Sequence, residues 1–192
     1  MAKKASATPD PRFEVLRMLT EVQKDKLLLK LFRKDPLLVE KLAYEFFEDK
    51  SDLNKRVNDI KQNIDKYLTL KYVPWDTPGD LMMQMRSLNA MITEHVKITK
   101  DKHGEIELTI LLLNTAFERF WTMLNQKKPR AQTFSKYVVT RTLKVLQLLQ
   151  KMHPDNDLDF KADLNRLLAY LYAYSPTSHL AKDEKLPPLY FR

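Results

Sequence analysis

The sequence predicts an all-α protein: an irregular bundle or a stack of helical hairpins, about seven helices in all, with extended tails at both ends. Three observations predict it. Glycine occurs only twice in 192 residues, at Gly79 and Gly104. Apolar side chains recur at steps of three and four along most of the chain, the spacing that lines one face of a helix. Prolines fall between these stretches, twice directly after an aspartate suited to cap a helix start. No fixed-period repeat is present, so a regular solenoid is not expected.

Residues 1–10 read as a mobile basic tail, and 11–174 as a single helical domain that could subdivide at a loop over 73–79. Asp10 before Pro11 starts a helix over 11–34, carried by Phe13, Leu16, Leu19, Leu27 and Leu31. Asp35 before Pro36 repeats the signal and opens a helix over 36–50. Ser51 is positioned to cap a third, 52–72, whose stripe is Leu53, Val57, Ile60, Ile64, Tyr67 and Leu68. Two prolines and a glycine within 73–79 stop any helix. Thr77, three residues before Asp80, then marks a capping-box start for a helix over 79–97. Residues 95–110 admit two readings. They alternate as a β-hairpin would, with Gly104 in its turn. The longer series Ile106, Ile110, Leu113, Phe117, Phe120 and Leu124 favours helix ends and a helix over 105–126. Helices over 132–152 and 158–174 follow, separated by Pro154. Residues 175–192, with Pro176, Pro187 and Pro188, read as an extended C-terminal tail.

Composition excludes several function classes. With no cysteine there is no disulfide scaffold, thiolate metal site or cysteine nucleophile. Two isolated glycines cannot build a phosphate-binding P-loop or a dinucleotide fingerprint. The basic N-terminus has no apolar segment behind it, unlike a secretory signal. No apolar run approaches the ~18 residues of a membrane helix. The absence of cysteine fits a reducing compartment, and the chain reads as cytoplasmic.

Charge is the informative feature. The chain carries 33 Lys and Arg against 25 Asp and Glu, a formal net charge of +8. No acidic residue lies between Glu118 and Asp155, while Lys127, Lys128, Arg130, Lys136, Arg141, Lys144 and Lys151 fall inside that window. On a wheel at about 100° per residue, Lys136, Thr140, Arg141, Lys144, Gln147 and Lys151 occupy one side of the helix. Val138, Val145, Leu146, Leu149 and Met152 occupy the other. Such a face can meet phosphates or an acidic protein. It can equally be solvated, or pair with acids of 52–72 and 155–163.

Other constellations carry less. Asp155, Asp157 and Asp159 resemble the start of a calcium loop, but Phe160 and Arg166 stand where glycine and glutamate are required. His95, His103, His153 and His179 lack metal-ligand spacing, and no serine sits in a nucleophile elbow. Tyr170 and Tyr174 share a face whose spacing reads as core. Trp75 between two prolines, and Tyr190 and Phe191 near the end, are candidate partner anchors.

The function these features predict is a non-catalytic interaction or scaffold protein that holds a protein partner through the basic helical face or its tail. The alternatives are a nucleic-acid-associated protein using the basic face of 127–151, and a helical enzyme of unknown type. No catalytic residue, metal or cofactor is called for, and no membrane. A homodimer through the apolar arcs of 105–126 and 132–152 is compatible with the pattern.

Overall fold

The computed structural model describes residue 10 and residues 12–72, 77–126, 129–152 and 158–191. Trp75, Lys127, Lys128 and all of the basic tail except Asp10 lie outside the described residues. Among the described residues every regular element is helical: nine α-helices and one 3₁₀ turn. The chain divides into two compact units, residues 1–47 and residues 48–192. The division falls at Phe47.

The first unit holds α1 (Arg12–Met18), α2 (Glu21–Lys34) and α3 (Pro36–Phe47). The single helix expected over 11–34 is broken at Thr20. Its side chain accepts the Gln23 N–H at 3.3 Å, and the Gln23 side chain accepts the Thr20 N–H at 2.9 Å, a reciprocal capping box. That pair satisfies two helix-start groups that an unbroken helix would bond internally. Asp35 caps α3 as its sequence predicts, accepting the Leu38 N–H at 3.2 Å. No residue of these three helices is buried.

The second unit begins with α4 (Lys50–Tyr67), capped by Asp49 rather than Ser51. The Asp49 carboxylate accepts the N–H groups of Ser51 and Asp52, and Asp52 reaches back to the Asp49 N–H. A 3₁₀ turn, Leu70–Tyr72, follows. Thr77 caps α5 (Pro78–Thr99) by accepting the Asp80 N–H at 3.3 Å. A two-residue turn then leads into α6 (Lys102–Gln126). Helix ends therefore occupy 95–110, and Lys100, not Gly104, takes the left-handed conformation of the turn, with φ 59°. Then come α7 (Ala131–Leu149), α8 (Leu158–Ala173) and α9 (Ser175–Asp183). The last corrects the expected extended tail. Pro176 sits in the first turn of α9, where its missing N–H costs nothing.

α6 packs against α4, α5, α7 and α8. It buries residues around most of its circumference, from Ile106 and Leu108 to Phe117, Phe120 and Leu124. The core of this unit is dense in aromatic rings. Phe117 stacks on Tyr170 at 5.5 Å and meets Phe134 and Tyr174 edge-on at 5.8 and 6.2 Å. The apolar arcs of α6 and α7 are used here, inside one chain. No helix among the described residues is long and apolar enough to cross a membrane.

Candidate functional site

The basic face of α7 is laid out as the wheel arranges it. Lys136, Thr140, Lys144 and Gln147 are exposed, Lys151 is exposed beyond the helix end, and Val138, Val145, Leu146 and Leu149 are buried. Tertiary packing then divides the cations. Lys144 Nζ lies 2.6 Å from Glu105 Oε1, and Lys102 Nζ lies 3.0 Å from Glu105 Oε2. Glu105 is buried at the start of α6. Burial pushes its carboxyl up, but the two lysines outweigh that and hold it below its ordinary value. The acid that neutralises Lys144 thus comes from α6, and not from 52–72 or 155–163. Arg119, also in the acid-free window, donates to the Asp65 carbonyl at 2.6 Å and pairs with the Asp65 carboxylate. It sits at the C-terminal end of α4, where a cation is favoured by the helix dipole.

Lys136 and Arg141 form no ion pair among the described residues. Arg141 places its guanidinium 5.4 Å from the centre of the Tyr137 ring. Arg86, which the sequence did not single out, approaches the same ring from α5, at 5.8 Å. The ring is buried, and the Tyr137 hydroxyl donates to the Met85 carbonyl at 3.4 Å. Burial pushes the phenol up, opposed in part by the two guanidiniums. Stacking over an aromatic face holds an arginine extended without neutralising it. The result is a pair of guanidiniums, Arg86 and Arg141, that bring two helices to one ring with no ion pair on either among the described residues.

The other predicted residues divide. Arg130 precedes α7 with φ 58° and lines a separate cavity. Tyr190 is not an available anchor. Its side chain is buried, and Asn165 of α8 accepts its N–H at 2.7 Å and donates to its carbonyl at 3.4 Å. The chain end folds back because Leu186 and Tyr190 complete the core. Phe191, next along, is 76% exposed.

A polar cluster under the α5–α6 turn has the residue types of a hydrolytic triad. His95 Nε2 lies 3.4 Å from Asp101 Oδ2 and 3.5 Å from Thr99 Oγ1. A relay needs the acid on one ring nitrogen and the nucleophile on the other. Here both contact Nε2, and the buried Nδ1 has no partner. The cluster instead organises the turn. Asp101 accepts the Gly104 N–H at 2.9 Å, and its hydrogen bond with His95 holds its carboxyl below the ordinary value. A Cβ at Gly104 would collide with Asp101 Oδ2, so this glycine is required for space, not for φ.

A cavity of about 320 Å³ lies among α4, α6 and α8. Its rim charges are paired: Lys61 with Glu107 at 2.6 Å, and Arg166 with Glu118 and Asp163 at 3.1 and 3.4 Å. No group of three or more His, Asp or Glu side chains able to hold a metal is present among the described residues. Compared with known protein families, curated proteins and solved structures, the chain matches none of them.

Proposed function

We propose that this is a non-catalytic interaction protein that holds an acidic protein partner on the α5–α7 face. The observation that carries the reading is the pair Arg86 and Arg141, both set on Tyr137 with no carboxylate on either among the described residues. Two pre-extended guanidiniums lose little side-chain freedom on binding, and planar forks suit bidentate contact with Asp and Glu. Arginine is also among the residues enriched where interfaces concentrate their binding energy. The first unit supports the interaction class. It exposes Phe13, Val15, Met18, Phe46 and Phe47 by more than half, with the Phe46 and Phe47 rings 6.5 Å apart, and aromatic and methionine side chains are enriched where proteins meet. We place the α5–α7 face on an irregular helical bundle, and read the cysteine-free chain as cytoplasmic.

The nucleic-acid alternative would use the same cations for phosphates. It is less favoured because Tyr137 is buried and offers no face for a base to stack on. The test is fluorescence anisotropy of the full chain against a Glu- and Asp-rich peptide and against short single- and double-stranded DNA and RNA, across a salt series. The expected result is peptide binding that disappears in Arg86→Glu/Arg141→Glu with an unchanged circular-dichroism melt. Steeply salt-dependent oligonucleotide binding lost in the same variant would replace the protein partner with nucleic acid. No binding of either at low salt would sink the proposal.

A further inference from the structure

We propose that α2 lies on an anionic lipid surface, its leucines entering the apolar layer and its cations meeting the headgroups. The surface belongs to the first unit and is separate from the α5–α7 face. The expectation of no membrane rests on the want of a run long enough to span one. A helix that lies in the interface requires no such length.

The segment 26–34 reads Lys-Leu-Leu-Leu-Lys-Leu-Phe-Arg-Lys. On a wheel at about 100° per residue, Leu27, Leu28, Leu29, Leu31 and Phe32 cover roughly 200°, and Lys26, Lys30, Arg33 and Lys34 fill the rest. Arg33 and Lys34 stand at the two edges of the apolar side. Glu21 and Asp25 fall on that side too, but both precede the segment, and Glu21 is paired with Lys24 at 2.8 Å.

Packing leaves both sides of the segment free. α3 packs along α2, yet Leu27, Leu28, Leu29 and Leu31 stay 39%, 45%, 55% and 42% exposed. This is the contrast with α7, whose apolar side is core. Lys26, Lys30, Arg33 and Lys34 are exposed and form no ion pair among the described residues.

The chemistry of the occupant follows from both sides together. Three consecutive leucines point in three directions about 100° apart, more than the single stripe that a partner's groove takes. An acyl layer rises round a helix and reaches all three. Unpaired cations at its edges select anionic headgroups. A second copy fits less well. Pairing the face with itself would bring Arg33 and Lys34 of both chains to the rim, and neither segment has an acid to meet them.

The test is flotation of the full chain with vesicles of phosphatidylcholine alone, and of phosphatidylcholine and phosphatidylserine in equal parts, across a salt series. Binding is expected to the mixed vesicles, to weaken as salt screens the headgroups, and to be roughly tenfold or more weaker without phosphatidylserine. The charge-neutral variant Leu28→Gln/Leu31→Gln should lose roughly tenfold or more in affinity, the size of the apolar burial removed. Arg33→Gln/Lys34→Gln should lose a similar factor at low salt. No α2 residue is buried, and glutamine forms helix about as well as leucine, arginine and lysine. Both variants should therefore keep the circular-dichroism melt of the parent. Parental binding in the leucine variant would reduce the effect to the general attraction of a +8 chain and overturn the proposal. Absence of binding to either vesicle would overturn it as well. A concentration-dependent dimer that is lost in the leucine variant, with no vesicle binding, would assign the face to a second copy instead.

Discussion

Residues 12–47 and residues 48–191 are written in the same local language and use it differently. Both are amphipathic helices with side-chain caps. Thr20 and Gln23 box the start of α2, as Asp49 and Asp52 box the start of α4. Yet α2 buries nothing, while α4 buries Val57, Ile60 and Ile64. The difference lies in what the apolar faces meet. In the second unit they meet α6, whose apolar residues run round most of the helix and serve several neighbours at once. In the first unit the three helices contribute no buried position. A cap decides where a helix starts, but long-range burial decides how strongly it is held.

The largest expected effect tests that contrast directly. Phe117→Ala removes the ring that joins Phe134, Tyr170 and Tyr174, and should destabilise the second unit by about 3–5 kcal/mol in urea unfolding followed by tryptophan fluorescence. Phe47→Ala, at a position 85% exposed, should change the same midpoint by less than about 0.5 kcal/mol. Comparable losses in the two variants would erase the distinction between the units.

Gly104→Ala comes next. Its Cβ has no room beside Asp101, and overpacking of this kind costs about 1–3 kcal/mol. A neutral result would mean that the α5–α6 turn yields easily and that the His95–Asp101 contact is not rigid.

Acid should then act on the second unit. The folded values of Asp101 and Glu105 are lowered, so the stability they contribute is complete above the ordinary carboxylate range and is lost as pH falls through their lower folded values. Urea midpoints taken from neutral pH downward should fall below about pH 4, and fall less steeply in Asp101→Asn/Glu105→Gln. Identical acid slopes in the two proteins would refute the assignment.

The smallest effect is local. Thr20→Ala should cost about 1 kcal/mol of α2 helicity, read from amide shifts, with no change in the unfolding midpoint of the second unit. A shift of that midpoint would show the two units to be energetically coupled.

Much of the fold is legible in the chain because its signals are short-range. Asp35 before Pro36, and Thr77 three residues before Asp80, act within one turn and place α3 and α5 correctly. The series from Ile106 to Leu124 outweighs five alternating residues because a helix buries all of those positions at once. The break at Thr20 was also local, a Thr-x-x-Gln box masked by the leucines that continue on either side. α9 was harder to see, since Ser175 and Pro176 read as a stop as readily as a start. Of the candidate site, the exposed side of α7 was legible from its period. Arg86 was not, because no sequence spacing places it on Tyr137.

The sequence by itself determined that the chain is helical, where most helices begin, and which side of α7 carries Lys136, Arg141 and Lys144. Those properties depend on neighbours three and four residues away. Only the tertiary structure decided which charges remain unpaired. Glu105 reaches Lys144 across 39 residues and Asp65 reaches Arg119 across 54, while Lys136 and Arg141 have no ion pair among the described residues. Such pairings depend on which helices lie side by side, and that is set by how the apolar faces close around α6.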